Sequence, residues 1–295
     1  MKIFYFSLFL FSIHSLFAVL NESKKIWSID SGIKAPESCY IHEESGHLFI
    51  SQIGEGGGMG KDGDGWISKY DLKGKIIKDK WATGLNAPKG IRSDGVRIWV
   101  TDIDRIVSFN IKTGKKENDL KIPNAKFLND LACGNDGTVY FSDMISSSIY
   151  QYKKGKVSIL VEGIQLEHPN GLLVDNGKLI IGAWGKEIQD DFTTKTLGRL
   201  LSLDLKTKEI TPITKKPLGN LDGVESDGKG GYIVTDWISG KIFHVQSSGT
   251  SKLLSQFPKG AADHAFIQEK GILILPEMLE NKVGAFDLSV LIKGS

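Results

Sequence analysis

Pro169-Asn170-Gly171-Leu172-Leu173-Val174-Asp175-Asn176-Gly177-Lys178-Leu179-Ile180-Ile181 is the stretch on which the fold turns. A polar residue heads a short apolar run, an Asn-Gly turn follows, and a second β-branched run completes the unit. The same order returns six times. Glu37 in Pro36-Glu37, Lys89 in Pro88-Lys89-Gly90, Asn129 in Leu128-Asn129-Asp130, Asn170, Asp222 in Leu221-Asp222-Gly223 and Asp263 in Ala262-Asp263-His264 occupy the head position. The steps between these heads are 52, 40, 41, 52 and 41 residues, close to the period of one propeller blade.

Each head leads into a second apolar strand, such as Leu48-Phe49-Ile50, Ile98-Trp99-Val100 or Tyr232-Ile233-Val234. A third strand follows, as in Arg105-Ile106-Val107-Ser108-Phe109, and then a more variable fourth, as in Val157-Ser158-Ile159-Leu160-Val161. Four antiparallel strands in each of six units predict an all-β chain folded as a six-bladed β-propeller. The last unit supplies only three strands, and Lys25-Ile26-Trp27-Ser28-Ile29 ahead of the first head is expected to supply the fourth and close the ring. No second domain is needed.

Outside the repeats, Met1-Lys2 precedes an apolar run from Ile3 to Phe17 that ends beside the small Ala18. One basic residue, a short apolar core and a small residue are expected of a cleaved secretory signal over residues 1–18. The run is shorter than the ~20 residues that usually span a bilayer, although an uncleaved anchor is the alternative reading. The expectation is a secreted or periplasmic propeller over residues 19–295, with no membrane attachment after cleavage and a monomeric state. A formal net charge of +2 gives no electrostatic footprint for nucleic acid. Cys39 and Cys133 are the only cysteines. They fall in non-adjacent units, so two buried thiols are expected rather than a disulfide.

In a closed ring the heads converge on one end of the axis. Loops after the second strands reach the same face, and two are long: Gln52 to Asp64 in unit one, and Gly185 to Leu197 in unit four. Facing each other across the ring, they read as walls or a lid around a pocket, with tolerated surface insertions as the alternative. Glu37, Asn129, Asn170 and Asp222 offer carboxylate and amide oxygens without thiolate or imidazole. Such a set suits a hard divalent cation, Ca²⁺ better than Mg²⁺. The competing reading has each head bonding the backbone of its own strand.

Lys89 stands outside that set, to neutralise Glu37, to hold an anionic substrate group or to extend out of the axis, with Asp263 as its balancing charge. His168 and His264 lie near the same face as acid–base or substrate contacts. Trp184 and Trp237 are candidates for an apolar wall. Asp102, Asp143, Asp236 and Glu277 end second strands and read as turn hydrogen-bonders. Asp62-Gly63-Asp64-Gly65 lacks the rest of an EF-hand, Gly54-Glu55-Gly56-Gly57-Gly58 lacks the partners of a phosphate loop, and no Gly-x-Ser-x-Gly occurs.

Across essentially the whole mature chain, Pro36-Glu37-Ser38, Phe127-Leu128-Asn129-Asp130, His168-Pro169-Asn170-Gly171-Leu172 and Leu221-Asp222-Gly223-Val224 resemble the gluconolactonase/regucalcin-like propellers, and more distantly the paraoxonases. The resemblance implies a divalent cation, usually Ca²⁺, held by Glu37, Asn170 and Asp222, with Asn129 as a further ligand or a substrate contact. It also implies hydrolysis of a lactone or ester whose carbonyl the metal polarises. Asp222 is then the expected base, with Asp130 and Asp263 in reserve. Where sugar-lactone members carry an Arg two residues before the Asn, this chain has Phe127. That departure weighs against a sugar acid and puts a more apolar lactone or ester on at least equal footing. A metal-stabilised propeller that binds a small ligand or protein without turnover is the alternative function.

Overall fold

The computed structural model describes residues 23–293; the expected signal over residues 1–18 lies outside them. Among the described residues, six four-stranded antiparallel sheets follow one another as the blades of a propeller. The only α-helix among them is Ser289–Lys293. The innermost strands are Pro36–His42, Pro88–Ser93, Leu128–Cys133, Pro169–Asp175, Leu221–Ser226 and Ala265–Ile267. The strand Lys24–Ile29 pairs with Lys282–Asp287 and completes blade six, as its sequence leads one to expect.

Alternation along the second strands builds the core between blades. In His47–Gln52, Leu48 and Ile50 pack toward blade six with Ile274 and Val283, while Phe49 packs toward blade two with Ile91 and Ile98. In Arg97–Asp102 the pattern repeats, with Ile98 and Val100 on the blade-one side and Trp99 against Leu131 and Phe141 of blade three. Both faces of each second strand are therefore buried, and each large side chain contributes roughly 1.5–3 kcal/mol of burial.

Two devices fix the heads. In five blades the pairing of innermost and second strands slips at the head, around Glu37, Lys89, Asn129, Asn170 and Asp222. A β-bulge there frees the head from the ladder and turns its side chain toward the axis. A hydroxyl next to the end of the second strand then bonds the head carbonyl of the following blade. Ser51 donates to Lys89 O (2.7 Å), Thr101 to Asn129 O and Ser142 to Asn170 O (2.8 Å). Thr235 bonds instead the carbonyl one residue before the head Asp263, Ala262 O (3.1 Å). In blade four Gly182 holds that position, and the head carbonyl of Asp222 packs against Gly171, where a Cβ would lie 1.7 Å from it.

Three of the four strand-ending acids, Asp102, Asp143 and Asp236, are turn hydrogen-bonders, as expected. Asp102 accepts the Asn86 and Ala87 N–H groups, and Asp143 those of Lys126, Phe127 and Ser146. Asp236 accepts from Ser239. The cysteines are free. Cys39 is buried, but Cys133, at the far end of its innermost strand, is only half-buried, which corrects the expectation of two buried thiols.

Candidate functional site

The bulged heads open onto a cavity of about 250 Å³ at one end of the axis. Glu37, Lys89, Asn129, Asn170 and Asp222 line it, and all five are buried. Both long loops reach it, through Gly58 and Met59 of blade one and through Asp191 and Phe192 of blade four. The blade-four insertion forms its own hairpin, Gly185–Ile188 paired with Thr194–Leu197. The two insertions thus face each other across the cavity and act as its walls.

The donor set bears directly on the choice between a metal and own-strand hydrogen bonding. Glu37 Oε2, Asp222 Oδ1 and both amide atoms of Asn170 are buried without a hydrogen-bond partner. Leaving such groups unpaired costs about 1–3 kcal/mol each, so bonding to their own strands does not account for them. Burial, and secondarily Asp222, raises the Glu37 carboxyl well above its ordinary range despite the opposing Lys89. Burial, then Asp263 and Asp130, does the same to Asp222. Among the described residues no three Asp, Glu, His or Cys side chains cluster as a metal centre. The set here is instead two carboxylates with the amides of Asn129 and Asn170. Orphaned oxygens in a buried, oxygen-only set fit a hard divalent cation.

Lys89 is 2 % exposed. Its ammonium donates to Gly58 O (2.8 Å) and Ala87 O (3.0 Å) and stands 4.6 Å over the Phe127 ring. Burial lowers it to about 8, against the pull of Glu37 and Asp102. Phe127, Met144 and Trp184 form a buried apolar cluster joined by Phe192 and Trp237. The indoles of Trp184 and Trp237 lie 6.1 Å apart, and Trp184 Nε1 donates to Phe192 O (2.8 Å). Phe127, Trp184 and Trp237 therefore line the cavity as an aromatic wall. Lys259, which the sequence reading missed, stands 5.3 Å over Trp237 at the same cavity.

Four expected site residues are elsewhere. Asp263 binds Arg92 through two contacts, at 3.0 and 3.3 Å, and accepts the Ser38 hydroxyl. It therefore balances Arg92 rather than Lys89. Asp130 accepts the N–H groups of Leu131 and Leu172 (both 2.7 Å) and lies 4.0 Å from Arg92. Neither acid lines the cavity, because both are turned to the buried guanidinium beneath it. His264 is also buried away from the cavity, packed at Gly223, and burial depresses its imidazole to about 4. His168 bonds Met144 O through Nδ1 (2.8 Å) instead of facing the cavity.

Arg92 carried no signal in the sequence reading. It lies on the innermost strand of blade two and reaches Asp263, Asp130 and Glu225 (3.2 Å), each in a different blade. A larger cavity of about 600 Å³ at the other mouth of the axis is lined by Tyr40, His42, Ser93, Glu225 and Phe266. It contains none of the unpartnered buried groups that mark the first cavity.

No protein-family model matches this chain. A 107-residue stretch is 27% identical to WD repeat-containing protein 1 of Xenopus tropicalis, and a 106-residue stretch is 29% identical to WD repeat-containing protein 1-B of Xenopus laevis. These stretches cover 35% and 34% of this chain, and the chain spans 16% of the length of each relative. Among solved structures, a gluconolactonase from Xanthomonas campestris superposes with a TM-score of 0.65 at 15% identity, over 91% of this chain and 90% of its own. A catalytically inactive virginiamycin B lyase from Staphylococcus aureus, solved with quinupristin, gives 0.60 at 15% identity over 90% and 99%. What this chain shares with these solved structures is the fold of a β-propeller.

Proposed function

We propose that this protein is an exported, divalent-cation-dependent hydrolase of a lactone or ester, with Ca²⁺ as the favoured ion. The observation that carries this reading is the set of unpartnered oxygens on Glu37, Asn170 and Asp222 at the floor of an aromatic-walled cavity. The fold shared with a gluconolactonase and a lyase supports a small-molecule enzyme on this scaffold. The leader-like residues 1–18 support export.

Glu37, Asn129, Asn170 and Asp222 would hold the ion, which when bound supplies a Lewis acid for a carbonyl oxygen. The aromatic wall of Phe127, Trp184 and Trp237 orients an apolar substrate and keeps bulk water from the floor. Asp222 takes a proton from the attacking water. Burial, then Asp263 and Asp130, raise its affinity for protons, which favours it as the acceptor. Asp130 and Asp263 do not share this role, since Arg92 occupies them.

The test is metal analysis of the purified protein, joined to a lactone and aryl-ester screen with and without chelator, on wild type and Asp222→Asn. The expected result is bound Ca²⁺, hydrolysis abolished by chelator and a loss of at least ~100-fold in the variant. A protein without bound metal, whose activity and melting ignore chelator, refutes the metal reading. Bound metal with no hydrolysis of any ester identifies a binding propeller instead.

A further inference from the structure

We infer that the cavity takes a small apolar or aromatic carboxylate, its charge on Lys89 and its ring against the Trp184–Trp237 wall. This rests on the reading of the cavity as a ligand site. The first observation is the state of Lys89. Its buried ammonium has three N–H donors, of which two meet the neutral carbonyls of Gly58 and Ala87. Among the described residues Lys89 makes no ion pair, whereas the other deeply buried cation, Arg92, meets three carboxylates. A buried ammonium with no carboxylate in contact is costly, since Glu37 and Asp102 act on it only from a distance, and the Phe127 face offsets only part of that cost.

The second observation is the charge of the floor. Ionised, as ligation of a cation requires, Glu37 and Asp222 supply −2 and Lys89 supplies +1. A divalent cation on the two carboxylates turns this sum from −1 to +1, so a monoanion is the ligand that leaves the closed site neutral. The third is shape. The cavity of about 250 Å³ lies just under the ~300–1,000 Å³ common for small-molecule pockets, which suits one ring with a short tail. Its wall is built from Phe127, Met144, Trp184, Phe192 and Trp237, which offers a polyhydroxylated chain few partners. The carboxylate released by ester hydrolysis fits the same description, so Lys89 would also hold the product.

The experiment compares three probes of one shape on the full-length mature protein: 4-phenylbutyrate, 4-phenylbutan-1-ol and 4-phenylbutylamine. Calorimetry and quenching of the wall tryptophans report binding, with excess Ca²⁺ and with chelator. The carboxylate should bind at least ~10-fold more tightly than the alcohol, with the amine weakest, and Ca²⁺ should widen the gap. Lys89→Met should erase the advantage of the carboxylate while leaving the alcohol unchanged within ~3-fold. Equal binding of acid and alcohol to wild type overturns the inference without any variant, as does a preference that survives Lys89→Met. Chelator-sensitive hydrolysis with no carboxylate preference refutes this inference alone. A carboxylate preference without hydrolysis refutes the hydrolase reading alone.

Discussion

Replacing Arg92 with Met tests how the axis beneath the cavity is held. The guanidinium lies 3.0 Å from Asp263, 3.2 Å from Glu225 and 4.0 Å from Asp130, with its side chain 8 % exposed. At an effective dielectric constant of ~20, a contact near 3 Å is worth about 5 kcal/mol of gross attraction. Part of that is returned because the buried cation is itself removed. Breaking one side of such a buried network typically leaves a net loss of about 3–5 kcal/mol, or roughly 6–20 °C at about 2–4 °C per kcal/mol. The loss should depend on pH. Burial already holds Glu225 up to about 7 with Arg92 beside it and keeps Asp130 well above its ordinary range, and removing the cation raises these two carboxyls further. Acids raised above their unfolded values cost nothing below those values, and their cost grows as pH climbs toward the folded ones. Thermal and urea melts at pH 5 and pH 8 should therefore show the smaller deficit at pH 5. Arg92→Met combined with Asp263→Asn should be milder than Arg92→Met alone. A deficit below about 1 kcal/mol at pH 8, or a double variant no milder than the single, refutes the picture of a charge-balanced axis.

Two further expectations follow from buried positions. His264, with burial and Arg92 lowering its imidazole to about 4 and Asp263 opposing them, contributes stability that is complete above pH ~6.5 and lost as pH falls toward 4, at most about 3 kcal/mol. His264→Phe, which also removes two unpartnered ring nitrogens, should flatten that acid limb and equal or exceed wild type at pH 5; a melt series that keeps the wild-type slope contradicts it. Gly171→Ala places a Cβ 1.7 Å from the Asp222 carbonyl oxygen, and the displaced backbone should lower stability by about 1–3 kcal/mol and weaken binding of the proposed cation together. Metal content and Tm measured on the same sample decide this, and an unchanged pair of values is the adverse result.

The heads Glu37, Asn170 and Asp222 were readable because a blade repeats in sequence, and repetition marks a spatial position without any structure. The closing strand was readable for the same reason, as the one piece the count lacked. Arg92 was not legible. Its partner Asp263 is 171 positions away, and a lone Arg within an innermost strand has no spacing to betray it. Without Arg92, the equivalence of the heads made Asp263 look like a counter-charge for Lys89, and Asp130 a reserve base. The hydroxyl clamps lay closer to view: Ser51, Thr101, Ser142 and Thr235 each precede Gln52, Asp102, Asp143 or Asp236. That recurrence was in the sequence, but only the register shows that these hydroxyls serve the neighbouring blade. The aromatic wall was half legible, since Trp184 and Trp237 directly follow second strands while Phe192 and Lys259 sit on loops with no repeat phase.

The seam of the ring has a consequence for biogenesis. Lys24–Ile29 is among the first described residues to leave the ribosome, and its partner Lys282–Asp287 is among the last. Across the same junction the backbone of Asp263 bonds Glu37 O (3.0 Å) and Cys39 N (2.9 Å). Glu37 therefore takes its place at the cavity floor only once the two ends of the chain have met. A nascent chain that still lacks Lys282–Asp287 would carry all six heads yet lack the closed geometry, so affinity for the proposed ion should appear together with completion of the circle. The cation would then act as a folding checkpoint, retaining by mass action only those chains whose ring has closed.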